Sequence, residues 1–107
     1  MALYEMRTYT VQVGKLAEVV ALYKEEGWPV LEKEGFGANL VGYFVADTGT
    51  INRLVHIWKF DDDAARRAHW ARLFQSEAFM RFAGKARPSV LTQEVVLLNE
   101  APFGPHP

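Results

Sequence analysis

The feature of this chain that most constrains its fold is a pair of apolar segments on either side of a short polar loop. The segments lie within residues 40–62, and residues 47–52 form the loop between them. Both segments are rich in β-branched and aromatic residues, so the pattern predicts a β-hairpin. His56 lies inside the second segment, two residues before Trp58. An ionisable side chain among so many apolar residues is either a core residue with satisfied hydrogen bonds or the centre of a pocket.

A strand and a helix are predicted before the hairpin. Residues 3–13 contain several β-branched and aromatic residues and end at Gly14, which is typical of a strand. Apolar side chains then recur with the spacing of one helix face, at Leu16, Val19, Val20 and Tyr23. Gly27 and Pro29 are expected to break this helix, with a second short piece over residues 29–34.

A second helix and a last strand are predicted after the hairpin. The three aspartates at residues 61–63 are expected to start the helix, since acidic side chains cap free N–H groups and suit the positive end of the helix dipole. The apolar stripe of this helix is predicted at Ala64, Ala68, Ala71 and Phe74, widened by Trp70 and Leu73. Ser76 is expected to cap a shorter piece, Pro88 to end the helical region, and residues 90–98 to form the final strand.

The resulting order of elements is strand, helix, strand, strand, helix, strand. This order predicts an α+β, ferredoxin-like βαββαβ domain, in which a four-stranded antiparallel sheet carries both helices on one face. A length of 107 residues suits one domain. We expect the domain to span residues 1–98. Residues 99–107 include three prolines and should form an irregular tail that adds little to the core.

Apolar residues on both faces of the predicted strands indicate a homodimer. Successive side chains of a strand point to opposite faces, and two helices can cover one face only. Leu54, Trp58 and Phe60 are expected on the uncovered face, where an apolar patch usually marks an interface. Two such sheets packed face to face in a two-fold dimer would bury the patch and form a dimeric α+β barrel.

Composition argues against several classes of partner. The formal net charge is −1 and there is no run of Lys or Arg, which disfavours nucleic acid and electrostatic membrane binding. There is no cysteine and the three histidines lack ligand-like spacing, so no metal and no cofactor is predicted. No apolar run approaches the ~20 residues of a membrane-spanning helix, and the first residues do not resemble a signal peptide. We expect a cytoplasmic protein.

Several short segments, in their order and spacing, resemble the NIPSNAP family. They are YEMRTYT at residues 4–10, VGK at 13–15, GYF at 42–44, VHIW at 55–58, RP at 87–88 and APF at 101–103. The resemblance implies a dimeric α+β barrel, the architecture that this family shares with small antibiotic-biosynthesis-type monooxygenases. It implies no particular reaction, because NIPSNAP domains as a class lack a settled biochemical activity and one fold hosts many chemistries.

Two polar residues in the predicted strands are candidates for catalysis. His56 is either a general acid or base in a cavity, or a core histidine that is hydrogen-bonded to its neighbours. Arg7 lies in the middle of the first strand, so its guanidinium group must be paired or must bind an anion. Glu5 and Glu94 are the candidate partners of Arg7, and a ligand carboxylate or enolate is the alternative.

Three aromatic residues are candidates for ligand binding. Tyr9, Tyr43 and Trp58 either line an aromatic pocket or belong to the plain core. Tyr43 lies opposite His56 if Ala46 pairs with Arg53, and a slip of one residue would turn it to the other face. The arginines at positions 66, 67 and 72 are interpreted as a solvated helix face.

Two functional hypotheses follow from these residues. The first is a dimeric barrel that binds a small apolar or aromatic ligand in a cavity near His56 and Arg7. If it is an enzyme, a cofactor-free oxygenase or isomerase fits best, with His56 as the base and Arg7 holding an anionic oxygen. The second is a non-catalytic protein-interaction module. A cavity that exposes both side chains favours the first hypothesis, and a solid interior favours the second.

Overall fold

The computed structural model describes residues 2–107, which contain four strands and two helical arms in the predicted βαββαβ order. The strands are β1 (Leu3–Val11), β2 (Leu40–Val45), β3 (Arg53–Phe60) and β4 (Val90–Asn99). The helices are α1 (Leu16–Leu22) and α2 (Trp28–Lys33) in the first arm, and α3 (Asp63–Leu73) and α4 (Glu77–Ala86) in the second. Short 3₁₀ turns precede β2 and β4, at Phe36–Asn39 and Arg87–Ser89. No helix within residues 2–107 has the length and apolar character needed to cross a membrane.

The four strands form one antiparallel sheet in the order β2-β3-β1-β4, which confirms the ferredoxin-like topology. Of the two hairpin registers considered from the sequence, the structure has the one that pairs Ala46 with Arg53, since the amide of Ala46 donates to the carbonyl of Arg53 at 3.0 Å. One row of facing residues therefore crosses the whole sheet: Tyr43, His56, Arg7 and Val95. The register places the two candidate catalytic residues directly opposite each other on adjacent strands.

The first helical arm does not break where the sequence predicts a break. A π-helical turn at Tyr23–Gly27 joins α1 directly to α2, and Pro29 lies in the first turn of α2, immediately after the π-helical turn. Gly27 lies against the ring of Phe82, and a Cβ at this position would come within 2.6 Å of that ring. The glycine is therefore needed for the close approach of the two arms rather than for a break.

The second arm begins as predicted, but its buried stripe is different. Asp62 caps α3 and Ser76 caps α4, through side-chain oxygens that accept from Ala65 and Phe79 amides at 2.8 and 3.2 Å. Leu73 is buried as predicted, but four other members of the predicted stripe are exposed: Ala64, Ala68, Ala71 and Phe74. His69 and Leu73 are the buried residues of α3. Burying larger side chains removes more apolar area from water than burying alanines, so the helix turns its bulkier side inward.

The apolar face predicted for the dimer interface is instead the core of a single chain. Leu54, Trp58 and Phe60 point towards the helices and are at most 3% exposed. Trp58 and Phe60 share one core cluster with Leu31 and Leu73 from the two arms. Leu54 belongs to a second core cluster. Alternation along a strand defines two sets of side chains but not which set the helices cover, so the assignment of these three residues to the outer face is wrong.

The helices leave the opposite side of the sheet uncovered, and we call this side the open face. A row of apolar side chains crosses it at Ile57, Met6 and Val96, which are paired neighbours on β3, β1 and β4. Phe44, Val96 and Leu98 are 52%, 43% and 41% exposed there. An uncovered apolar face therefore exists as predicted, but different residues form it.

The segment after β4 folds back over one end of the open face, where the central strands β1 and β3 begin and end. The hydroxyl of Tyr4 donates to a carboxylate oxygen of Glu100 at 2.9 Å and to the main-chain oxygen of Pro107 at 3.1 Å. Lys59 donates to the same Pro107 oxygen at 2.7 Å. Residues 100–107 have no regular secondary structure, yet these contacts tie them to β1 and β3.

Candidate functional site

A cavity of about 90 Å³ lies between the sheet and the two helical arms. All five residues that the sequence analysis singled out line it: Arg7, Tyr9, Tyr43, His56 and Trp58. They come together because they occupy one face of three adjacent strands. The opposite wall is apolar and comes mainly from the helices, through Leu31, Leu73, Phe79, Phe82, Ala83 and Ala86.

His56 is 3% exposed and presents one ring nitrogen without a partner. The indole N–H of Trp58 donates to Nδ1 of His56 at 2.7 Å. An indole nitrogen can only donate, so Nδ1 carries no proton and the neutral ring carries its proton on Nε2. Among residues 2–107, no group accepts a hydrogen bond from Nε2. The ring is fixed further by Tyr43, stacked at 5.1 Å between centroids, and by Tyr9, edge-on at 4.9 Å.

Burial keeps His56 neutral at physiological pH. Desolvation, assisted by the nearby guanidinium of Arg7, lowers the pKa of His56 from 6.5 to about 3. In this tautomer the free nitrogen is a hydrogen-bond donor, and Nδ1 is occupied by Trp58. The arrangement therefore suits a donor to a ligand better than the general base considered from the sequence.

Arg7 is held by its own strand. Its Nη1 donates to Glu5 at 2.9 Å and its Nε donates to the hydroxyl of Tyr9 at 3.1 Å. The guanidinium also lies 4.9 Å from the ring centre of Trp70, within cation–π range. Glu5 is thus the partner of Arg7, whereas the register turns Glu94 to the open face.

Glu5 is the fully buried anchor of a charged network that the sequence analysis did not identify. One carboxylate oxygen accepts from Arg7, and the other accepts from Arg66 at 2.8 Å and from Trp70 at 3.1 Å. The interpretation of Arg66 as part of a solvated face is wrong, because α3 crosses the sheet at this point and carries the side chain onto Glu5. Residues 61 positions apart meet here, and no local pattern announces such a contact.

Tyr23 is a lining residue that its sequence position concealed. It falls on the predicted apolar face of the first helix, and it lines the cavity at the π-helical turn. Its ring contacts Phe82 at 4.8 Å and Tyr43 at 5.4 Å between centroids. Burial raises the pKa of Tyr23 well above its usual value, so its hydroxyl stays protonated. Single π-helical turns inside α-helices occur frequently at functional sites.

Exposed residues of β4 and of the turn before it form part of the cavity rim. Arg87 and Gln93 line the cavity, together with the half-exposed Phe74 at the end of α3. Gln93 shares the face of His56, whereas Glu94 lies on the open face. These positions give the cavity a polar margin.

His69 is buried but lies outside this cavity. Its ring is 2% exposed and contacts the rings of Phe36, Phe60 and Trp70 at 5.5, 5.1 and 4.8 Å. Burial, with a contribution from Arg72, lowers the pKa of His69 to about 4. Within residues 2–107, no group of three or more His, Cys, Asp or Glu side chains is placed to hold a metal ion.

A second, more open depression of about 220 Å³ lies between α1 and the hairpin. Its walls are almost entirely apolar and include Val20, Trp28, Val45 and Leu54. It lacks the converging donors of the His56 cavity, and ligand sites typically combine apolar walls with a few placed polar groups. The smaller, more enclosed cavity is therefore the better candidate.

The fold and the cavity define a class, the ferredoxin-like α+β proteins with a pocket between sheet and helices. A sequence model of the NIPSNAP family matches residues 4–105. The chain belongs to the NIPSNAP family.

Solved structures of NIPSNAP proteins superpose closely on the chain. A NIPSNAP domain protein from Burkholderia xenovorans is 33% identical, with a TM-score of 0.86 over 97% of this chain and 99% of that one. A NIPSNAP family protein from Agrobacterium tumefaciens is 31% identical, with a TM-score of 0.89 over 97% and 92%. An antibiotic biosynthesis monooxygenase, 22% identical with a TM-score of 0.63 over 94% and 99%, shares the fold alone. Among curated proteins, no sequence matches the chain.

Proposed function

We propose that this protein binds a small, flat, largely apolar or aromatic ligand in the cavity beside His56 and Arg7. The observation that carries the proposal is the unpartnered Nε2–H of a histidine that is 3% exposed and lines a cavity. A buried donor without a partner costs about 1–3 kcal/mol. A ligand oxygen or nitrogen that accepts from His56 would remove this cost. A ligand with such an acceptor should therefore bind more tightly than one without it.

The size of the cavity limits the ligand. A volume of about 90 Å³ is well above the minimum of about 10–15 Å³ for one water and below the ~150 Å³ of an enclosed cavity that binds benzene. This space suits one aromatic ring, with any second fused ring extending through the open rim. The aromatic side chains of Tyr9, Tyr43 and Trp58 on the sheet side favour a flat ligand that can pack against their rings.

If the protein is an enzyme, its donors fit a reaction that passes through an enolate. His56 and Arg7 lie side by side and could both stabilise negative charge that develops on a ligand oxygen, as preorganised donors do in other active sites. Cofactor-free oxygenation by molecular oxygen of a ligand that binds as its enolate is a reaction of this kind and needs no base from the cavity. Isomerisation of a neutral ligand, by contrast, would need a base other than His56, whose Nε2 carries a proton. Support from the monooxygenase with the same fold is analogy only.

We also propose that two copies of the chain pair through their open faces. The support is the apolar row of Met6, Ile57 and Val96, together with the exposure of Phe44 and Leu98. Monomeric proteins rarely leave a large continuous apolar patch in water. Such a dimer would place the two His56 cavities on its outer sides, because each lies on the helix side of its own sheet.

Binding of 2-naphthamide, a neutral bicyclic amide with a carbonyl acceptor, tests the ligand proposal. Calorimetry or saturation-transfer NMR should detect binding to the wild type. His56→Phe keeps an aromatic ring but removes the donor, so affinity should fall about tenfold, which corresponds to one hydrogen bond. The matched control is His69→Phe, the same change at a buried histidine outside the cavity, which should alter affinity less than about twofold. Circular dichroism checks that both variants fold.

Two outcomes would contradict the ligand proposal. The first is absence of binding to the wild type, which would favour the non-catalytic interaction module instead. The second is an equal loss of affinity in the His56 and His69 variants, because the effect would then come from general loosening of the core and not from a contact with the ligand.

A further inference from the structure

We infer that the ligand of this cavity is a monoanion, with a flat apolar body and one carboxylate or enolate group that is bound by Arg7 and Arg87. The inference rests on the proposed function, since it assumes that the cavity binds a ligand. The sequence analysis left a ligand carboxylate or enolate as one alternative for Arg7; the inference commits to it and adds a second arginine, Arg87, to which the proposed function gives no role.

The first support is the charge of the cavity wall. Among the residues that line it are two arginines, Arg7 and Arg87, and not one aspartate or glutamate. The nearest carboxylate, Glu5, pairs with both Arg7 and Arg66, and Arg66 also pairs with Asp63 at 2.9 Å, so Glu5 offsets much of the charge of Arg7 and leaves that of Arg87. Within residues 2–107, Arg87 makes no ion pair and no side-chain hydrogen bond. The wall therefore carries net positive charge, which favours an anion wherever water is partly excluded.

The second support is the supply of unused donors. Arg7 uses Nε and one Nη1 hydrogen bond, and its Nη2 has no hydrogen-bond partner among the residues that the structure describes. His56 offers Nε2–H in its neutral form. Guanidinium groups donate and never accept, so the ligand group opposite them must be an acceptor. A carboxylate or enolate oxygen accepts only, and it makes stronger hydrogen bonds with arginine than a neutral group does.

The third support is the position of Tyr23 between these charges and the helices. The guanidinium groups of both Arg7 and Arg87 act on its hydroxyl, where they oppose the effect of burial on its pKa. Arg7, Arg87 and Tyr23 all line the cavity, although they come from β1, from the turn before β4 and from the π-helical turn. The ring of Tyr23 contacts Phe82 at 4.8 Å, so the charged part of the wall is continuous with the apolar part.

These three observations define an amphipathic ligand. Its body packs against apolar side chains of the helices, such as Leu31 and Phe82, and its charged group lies towards the rim, where Arg87 is exposed. An entirely neutral hydrocarbon would leave both guanidinium groups and His56 without new partners. A dianion would exceed the positive charge that the wall offers once Glu5 is counted.

Comparison of 2-naphthoate with 2-naphthamide tests the inference, because the two probes have nearly the same shape and differ in charge. Calorimetric titration at pH 7.5 and low salt should show at least about tenfold tighter binding of naphthoate to the wild type, as expected for a charge-assisted contact. Arg87→Gln should weaken naphthoate binding about tenfold and change naphthamide binding less than about twofold. The matched control is Arg81→Gln, on an exposed position of α4 that does not line the cavity, and it should change neither affinity.

The outcomes separate the inference from the proposed function. If naphthamide binds at least as tightly as naphthoate, the anion inference is overturned and the ligand cavity stands. If Arg87→Gln and Arg81→Gln reduce naphthoate binding equally, the effect is long-range charge and the assignment of Arg87 is overturned. If neither probe binds to the wild type, both the inference and the proposed function are overturned.

Discussion

Replacement of Glu5 by glutamine should destabilise the protein strongly, although it changes only one oxygen into an amide group. Glu5 is fully buried and accepts three hydrogen bonds, from Arg7 at 2.9 Å, Arg66 at 2.8 Å and Trp70 at 3.1 Å. A glutamine keeps one acceptor oxygen but turns an NH₂ donor towards one of the arginines. Two guanidinium groups then lose their shared carboxylate.

The size of the effect follows from the contacts that are lost. A hydrogen bond that involves a charged group contributes about 1.5–3 kcal/mol, and both arginine contacts are weakened or lost. Water recovers part of this energy, because the side chains of Arg7 and Arg66 are each 16% exposed. We therefore expect the free energy of unfolding to fall by about 3–4 kcal/mol, within the range for breaking a buried ion pair.

Urea unfolding followed by circular dichroism, at one fixed protein concentration, measures this change. Glu25→Gln makes the same substitution at an exposed position and should stay within about 0.5 kcal/mol of the wild type. Arg7→Met should cost only about 1–2 kcal/mol, because Glu5 keeps Arg66 and Trp70. A loss below about 1 kcal/mol for Glu5→Gln would refute the reasoning. Equal losses for Arg7→Met and Glu5→Gln would show that Arg66 does not compensate.

Three further predictions concern pH, assembly and the tail. Between pH 6.5 and about 4 the unfolded chain binds a proton at His56 that the folded protein excludes, so lowering the pH should reduce the free energy of unfolding by up to about 1.4 kcal/mol per pH unit. Buried His69 acts in the same direction. A free energy of unfolding, measured with urea, that stays constant from pH 7 to 5 would contradict this. Light scattering should find a dimer, and Ile57→Glu on the open face should convert it into folded monomers. Trp58→Glu should instead unfold the chain, because Trp58 is buried in the core. A dimer that persists unchanged in Ile57→Glu would exclude the open face as the interface. Deletion of residues 104–107 should lower the free energy of unfolding by about 1 kcal/mol, because it removes the Pro107 oxygen that accepts from Tyr4 and Lys59. Thermal unfolding measures the change, and an unchanged melting temperature would mean that these contacts contribute nothing.

The sequence by itself determined the order of the elements and the position of the candidate residues. Apolar alternation, the hairpin loop and the helix caps are local signals, and they predict four strands and two helical arms correctly. The βαββαβ order makes the first and third strands neighbours, so Arg7 and His56 could be placed side by side before any coordinates. The sequence left the face of Tyr43 open, because that face depends on the hairpin register, and the pairing of Ala46 with Arg53 in the structure decides it.

Only the tertiary structure decided which side of the sheet is the core. The side chains of β3 form two alternating sets, one with Trp58 and one with Ile57, and both sets are largely apolar. Their local patterns are therefore equivalent, and which set faces the interior depends on which one packs better against the helices. The same holds for α3, where the exposed alanines and the buried His69 and Leu73 have the same helical spacing. Burial is a property of the whole packed chain, and periodicity defines faces without assigning them to the interior.

Long-range contacts were equally beyond the sequence. The ion pair of Glu5 with Arg66 joins a strand to a helix residue 61 positions later. It makes an arginine that the sequence analysis placed on a solvated face part of a buried network. Arg87 reaches the cavity because the chain turns into β4 beside it, and Tyr23 does so at a π-helical turn within the first arm. Each of these depends on the relative position of two packed elements, which is set by the sum of many weak contacts and not by any residue pattern along the chain.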